Sequence, residues 1–400
     1  MNPRLDLSAL MRLQKQHRRG AQSANGGPRT STRLEEVTGF GPNPGNLRML
    51  THVPKDLPAG APLIVALHGC TQSAVDYDEG TGLSLMADAL GFALLLPEQQ
   101  RANNVNLCFN WFEAGDTARE AGEPLSIRQM IANLVRKHRL DPARVFVTGL
   151  SAGGAMTSVM MATYPEVFAA GAVIAGLPYA GGIGVAEALR TMARPSDLLP
   201  AARGAAVRAA SAYTGPWPRV AIWQGQADTT VSPDNADEIA KQWLDLHGLA
   251  GRSPDFEQRS AVHAERRWTG ADGKPMVELH RIAGMAHGVP LHPGEGEGMA
   301  GIAGAYMLDV GVSSTHEILR FFGLSASQAA RKAPPRPRGT VTVDSVAETV
   351  DRVEPVATAR PVEPKPEAGP QPRPAFAFTD PGAVITKALR AAGLMGTDRR

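Results

Sequence analysis

The chain has 400 residues, 43% of them hydrophobic and 20% charged, with a formal net charge of +2. So nearly balanced a charge argues against nucleic acid or an anionic membrane as the principal partner. No apolar stretch approaches the length of a membrane span, and the first twenty residues carry neither a continuous apolar run nor a small-residue cleavage site, so no secretory signal is expected.

Taken in chain order, Leu5, Leu7, Leu10, Met11 and Leu13 form an apolar stripe suited to a short docking helix, and GAQSANGGPRTSTR (20–33) reads as a linker. Residues 1–34 are thus expected to be an N-terminal helix and linker. Over 35–325 short apolar strands alternate with helical segments. The candidate strands are RMLTHVP, PLIVALHG, GFALLLPEQ, RVFVTG, AAGAVIAG, RVAIWQG and VELHRIAG. Apolar runs separated by crossover helices imply a single α/β domain with a mostly parallel central sheet and helices on both faces. Ten prolines between Ala326 and Thr379 mark a segment too polar to offset its chain entropy, expected to be a disordered linker over 326–379. Order is expected to return over 380–396. There Asp380 caps a helix, Pro381 occupies its first turn, Val384, Ile385, Ala388 and Leu389 share one face, and Gly393 ends it.

The stretch RVFVTGLSAGGAM carries the chemistry. Val145, Phe146 and Val147 read as a buried strand, while Met156, Val159, Met160 and Thr163 follow at helical spacing, so Ser151 falls between a strand and a helix. A turn that sharp demands minimal side chains at Gly149, Gly153 and Gly154. It presents a nucleophilic hydroxyl beside the positive end of a helix. Such a serine needs a base, and the base needs an orienting acid, in the chain order Ser, acid, His when each follows a strand. Asp228, just beyond RVAIWQG, fits the acid better than Asp234 or Asp237, which lie in the next helix's first turns. Of His280, His287 and His292, His287 fits the base: it follows the strand between small residues, whereas His280 lies inside it. The oxyanion formed on attack needs backbone donors, here the amides of Ala152 and Cys70, with Gly69 allowing the turn. Cys70 and Cys108 are the only cysteines, both in loops bordering the site. The expectation is that they pair and clamp the oxyanion loop, two separate buried thiols being the alternative. Neither His-Glu-x-x-His nor paired Cys-x-x-Cys occurs, so no metal or other cofactor is expected.

The segments LHGCTQSAVDYDEGTGLSLMADALGFALLLPEQQ, CFNWF, GLSAGGAM, ATYPEVFAAGAVIAGLPY and YMLDVGVSSTHEILRFFGL, between Phe40 and Leu324, together resemble the poly(3-hydroxybutyrate) depolymerase family of esterases. The resemblance implies an α/β-hydrolase fold and ester hydrolysis through an acyl-enzyme. It puts the nucleophile on Ser151, the acid on Asp228, the base on His287 and the oxyanion-loop cysteine on Cys70. It also implies an extracellular protein, as does a cysteine pair, against which stands the missing signal and a cytoplasmic alternative. Departures from the family are the absence of a recognisable polymer-binding domain, Phe109 where a Trp is common, and Gly288, Val289 and Pro290 after the base. Trp111 and Phe112 are candidates for an aromatic wall of the cleft, with ordinary packing as the alternative. The leading expectation is a serine esterase acting on 3-hydroxyalkanoate oligomers or polymer. An esterase of feruloylated or acetylated polysaccharide is the runner-up, and a granule- or partner-binding protein with a vestigial hydrolase is the alternative of another class.

Overall fold

A computed structural model describes residues 33–294 and 298–324. The expected N-terminal docking helix, the proline-rich linker and the C-terminal amphipathic helix lie outside the described residues. Arg33, placed at the end of the linker, is already tied to the domain: its Nε donates to Ser84 Oγ at 2.9 Å and it pairs with Asp88.

The main sheet has ten strands: β1 (Glu35–Val37), β2 (Arg48–His52), β3 (Leu63–Leu67), β4 (Ala93–Glu98), β5 (Val145–Leu150), β6 (Ala170–Ile174), β7 (Arg219–Gly225), β8 (Phe256–Arg259), β9 (His263–Thr269) and β10 (Pro275–Ile282). Their order is β1-β2-β4-β3-β5-β6-β7-β10-β9-β8. The run from β4 through β3, β5, β6 and β7 to β10 is parallel. β2 and β9 run antiparallel to its two outer members, and β1 and β8 extend those edges, again antiparallel. All seven expected strands are present, as β2 to β7 and β10. A separate two-stranded sheet pairs β11 (Val289–Leu291) with β12 (Met307–Asp309).

Alternation along β3 explains the layers. Leu63, Val65 and Leu67 enter one core with Ile127, Met130 and Leu134 of α3 (Gly122–His138) and Met156 and Met160 of α4 (Ala152–Thr163). Ile64 and Ala66 enter the other core, with Tyr77 of α1 (Ala74–Thr81), Ala87 of α2 (Leu83–Leu90) and Ile318 of α8 (Ser314–Phe321). Because both faces of each central strand are covered, these strands are apolar throughout, which is why they stand out in the sequence. On the first face α5 (Val185–Ala193) and α6 (Pro200–Ala209) precede β7, and α7 (Asp234–Leu246) packs Ile239 and Trp243 into the core. Parallel strands joined by helices leave all their carboxyl ends on one edge, so the loops after β3, β4, β5, β6, β7 and β10 meet there.

Candidate active site

Ser151 closes β5 and opens α4. Its backbone stands at φ 57°, ψ −116°, a conformation that side-chain-bearing residues rarely adopt, and its N–H donates to Ile174 O of the neighbouring β6 at 2.9 Å. The flanking glycines make this turn possible. A Cβ on Gly149 would lie 2.4 Å from Gly153 O, and one on Gly153 would lie 2.2 Å from Leu67 O and 2.6 Å from His68 O. The second pair of distances also shows how near the start of α4 comes to the loop after β3. As the first residue of the helix, Ala152 has an N–H with no intrahelical acceptor, and the helix dipole adds to the positive potential there.

In the loop after β3 the amides are sorted by their partners. Gly69 N donates to Gln72 Oε1 at 2.8 Å, Thr71 N to Asn106 O at 2.7 Å and Gln72 N to Gly69 O at 3.3 Å. Among the described residues the Cys70 N–H has no such acceptor. Cys70 and Cys108 form a disulfide, as expected, which ties this loop to the one after β4.

Asp228 and His287 meet at the same edge. His287 Nδ1 lies 2.7 Å from Asp228 Oδ2, with the two side chains 10% and 0% exposed. The carboxylate is otherwise saturated: Oδ1 accepts from Thr230 N at 2.8 Å and Val231 N at 2.9 Å, and Oδ2 from Gln224 Nε2 at 3.0 Å. Those bonds hold the acid in one rotamer facing the ring, so the imidazole is fixed as the Nδ1–H tautomer. His287 Nε2 has no hydrogen-bond partner among the described residues and is available as a base.

The rejected alternatives are used elsewhere. Asp237 pairs with Arg281 at 2.5 Å and Asp234 contacts Ser232 Oγ. His292 sits in a bridge to Ala300, and His280 is fully buried in β10. His280, Glu265 and Glu278 are the one cluster of potential metal-ligating atoms among the described residues. Arg267 pairs with both carboxylates and Arg320 with Glu278, so the cluster's negative charge is already compensated by cations of the chain itself.

The two candidate wall aromatics differ in exposure. Trp111 is only 7% exposed and packs against the core with its ring edge-on to Phe112 at 5.5 Å. Glu123 Oε2 accepts the Asn110 amide at 2.9 Å and turns this loop inward. Burial, with Asp116 nearby, pushes the Glu123 carboxyl well above the usual range. Phe112 is half-buried, and its carbonyl receives Gly184 N at 2.7 Å. Sequence reasoning missed the buried side chains behind the oxyanion loop, His68, Gln99 and Glu123. His68 sits in the quoted LIVALHGCTQ, and its polarity at the end of an apolar strand was the available signal.

A ten-stranded sheet of this order with a strained serine elbow and a histidine–aspartate pair at its carboxyl edge defines an α/β-hydrolase of the serine esterase class. Comparison with known proteins narrows the class. The family described as Esterase PHB depolymerase matches residues 53–263. The chain is 48% identical to poly(3-hydroxyalkanoate) depolymerase C of Paucimonas lemoignei over 292 residues, 73% of this chain and 70% of that protein. It is 35% identical to feruloyl esterase B of Neurospora crassa over 73% of this chain and 92% of that one. Among solved structures, an acetyl xylan esterase from Aspergillus awamori superposes with a TM-score of 0.62 at 26% identity, covering 73% of this chain and 99% of the other. The chain belongs to the PHB depolymerase family of esterases and is a carboxylic ester hydrolase.

Proposed function

We propose that this esterase cleaves the ester bonds of 3-hydroxyalkanoates, as oligomers or polymer, through an acyl-enzyme on Ser151. The observation that carries the reading is the Asp228–His287 bond on the edge that also bears the Ser151 elbow. His287 Nε2 takes the Ser151 proton as Oγ attacks the ester carbonyl, and Asp228 stabilises the imidazolium that forms. The amides of Cys70 and Ala152 donate to the resulting oxyanion, each contributing about 3 kcal/mol to the transition state. Collapse expels the alcohol, which is the hydroxyl of the next monomer, with the proton returned by His287. Water then enters, loses a proton to His287, attacks the acyl carbon and restores Ser151. No metal or redox cofactor is needed for these steps.

The 48% identity to a poly(3-hydroxyalkanoate) depolymerase favours a hydroxyalkanoate over a polysaccharide ester. The likeness to feruloyl and acetyl xylan esterases makes those esters the second reading. The disulfide favours an oxidising, extracellular setting. Among the described residues no helix is long and apolar enough to cross a membrane. The test compares wild type with Ser151→Ala on a soluble 3-hydroxybutyrate trimer, amorphous polymer granules and methyl ferulate. Serine-dependent turnover of trimer without ferulate is the expected result, and granule turnover decides between oligomer and polymer. Turnover of ferulate alone overturns the substrate, and an active Ser151→Ala overturns the mechanism.

A further inference from the structure

The last side chain that β7 sends toward the first core is a glutamine. Val220, Ile222 and Gln224 share that face by alternation, and the first two are apolar core residues. Gln224 is only 1% exposed, and an amide buried at such a position is costly unless its hydrogen bonds are made. Its Nε2 lies 3.0 Å from Asp228 Oδ2, 3.3 Å from Gly225 O and 3.3 Å from Val231 O. All three are acceptors, so the nitrogen of the amide, and not its oxygen, faces them. One side-chain atom thus reaches the acid and both ends of the turn that carries it.

Other bonds hold the rest of the acid's setting. Gln226 N donates to Ile282 O and Ala227 N to Met285 O, each at 2.9 Å, which joins the backbone of the turn to the segment leading to His287. Asp228 Oδ1 accepts from Thr230 N and Val231 N. Those bonds pin one carboxylate oxygen and leave rotation about it open. Oδ2, which lies 2.7 Å from His287 Nδ1, has Gln224 Nε2 as its one other partner among the described residues. Rotation of the carboxylate would carry Oδ2 out of line with the Nδ1–H, and a ring that followed it would re-aim its Nε2.

We infer that Gln224 is a positioning residue for ester hydrolysis: its amide sets the angle of the Asp228 carboxylate and, through Oδ2, the plane of the His287 ring. The inference rests on the reading of Asp228 and His287 as acid and base.

Two substitutions separate the donor from the shape. Leucine fills much of the same space and donates nothing. Glutamic acid has nearly the shape of glutamine; protonated, it donates its one O–H to Oδ2, and ionised, it faces Asp228 as a like charge. Arg281, opposite Gln224 on β10, already pairs with Asp237.

The experiment measures kcat and KM of Gln224→Leu and Gln224→Glu on a soluble 3-hydroxybutyrate trimer from about pH 6 to about pH 9, each as a ratio to wild type, beside Asp228→Asn and every variant's melting temperature. Gln224→Leu is expected to lose kcat by about 10- to 100-fold at every pH with KM unchanged, the scale of a misplacement of about 1 Å. That stays below the loss of about 10⁴-fold expected when the acid itself is changed. Gln224→Glu is expected to keep several-fold more activity than Gln224→Leu at the acid end, with its ratio to wild type falling as pH rises and the added carboxyl ionises. Full activity in Gln224→Leu overturns the inference, as do equal losses in the two variants at every pH, losses carried by KM, or losses that follow melting temperature. An active Asp228→Asn breaks the underlying reading instead, which an active Gln224→Leu beside an inactive Asp228→Asn leaves standing. Should Gln224→Leu not fold, the Gln224→Glu series decides alone: a ratio to wild type that does not fall as pH rises overturns the inference.

Discussion

Two histidine–carboxylate pairs have their histidines within ten residues of each other, and only one of the two keeps a ring nitrogen unused. In β10, His280 Nε2 lies 3.2 Å from Glu278 Oε2 and its Nδ1 lies 3.0 Å from His263 Nε2, while the ring stacks on Trp223 at 3.8 Å. Both nitrogens are spent, and both residues of the pair are fully buried. Beyond the strand, His287 gives only Nδ1 to Asp228, and its ring meets Tyr306 edge-on at 6.3 Å. The same side-chain types make a crosslink with both nitrogens used inside the sheet and, at its edge, a pair with one nitrogen left unused. A strand interior supplies neighbours on both faces that consume polar atoms, whereas the loop after a parallel strand opens onto the shared cleft edge.

The widest separation between the pairs comes from exchanging each histidine in turn. His287→Ala should lower kcat by about 10⁴- to 10⁶-fold, and Asp228→Asn by about 10⁴-fold through the wrong imidazole tautomer, both with melting temperatures near wild type. Steady-state kinetics beside thermal melts reads both. Reducing the Cys70–Cys108 bond comes next: opening a loop with a sequence separation of 38 residues removes about 4 kcal/mol on a chain-entropy estimate. Thermal melts with and without reductant should show a clear fall in melting temperature, and an unchanged melt would contradict the clamp.

His280→Ala should behave inversely to His287→Ala. It leaves Glu278 less well compensated and opens space against Trp223, costing about 3 kcal/mol of stability, yet the folded protein should keep wild-type kcat on a soluble ester. A catalytic collapse in folded His280→Ala would erase the distinction between the pairs. The smallest effect concerns pH. Burial, followed by the facing His280, lowers the pKa of His263 below the ordinary histidine value, against the opposing pull of Glu265 and Glu317. The unfolded chain then binds the proton more readily, so this stability is present above about pH 6.5 and is lost as pH falls through the depressed folded value. The melting temperature should decline from pH 7.5 to 5, and His263→Gln, which keeps a group at Nε2, should flatten that slope.

The same contrast explains what the sequence made legible. The inner parallel strands β3, β4, β5 and β6 were readable because both their faces are covered, which leaves largely apolar runs such as LIVAL and ALLLPE. β8 was not, since all four of its residues are exposed, and β9, HAERRWT, spends its polar residues on the charge cluster beneath β10. β11 and β12 are three residues each, too short to carry a period. The places of Ser151, Asp228 and His287 beyond β5, β7 and β10 were legible because position after a strand is a sequence property. The His68–Gln99–Glu123 chain was not, because its links join residues 31 and 24 positions apart through loop packing. The burial of Trp111 was hidden for a related reason: aromatic character is visible in CFNWF, but the inward turn set by Glu123 is not.

The central claim is that Ser151 forms the covalent intermediate with His287, and not His280, as its base. Labelling with a fluorophosphonate probe followed by peptide mapping tests it most directly. The account predicts one adduct per chain, on Ser151, formed at wild-type rate in folded His280→Ala and slowed by orders of magnitude in His287→Ala. An adduct on another residue, or equal labelling rates in the two histidine variants, would contradict it.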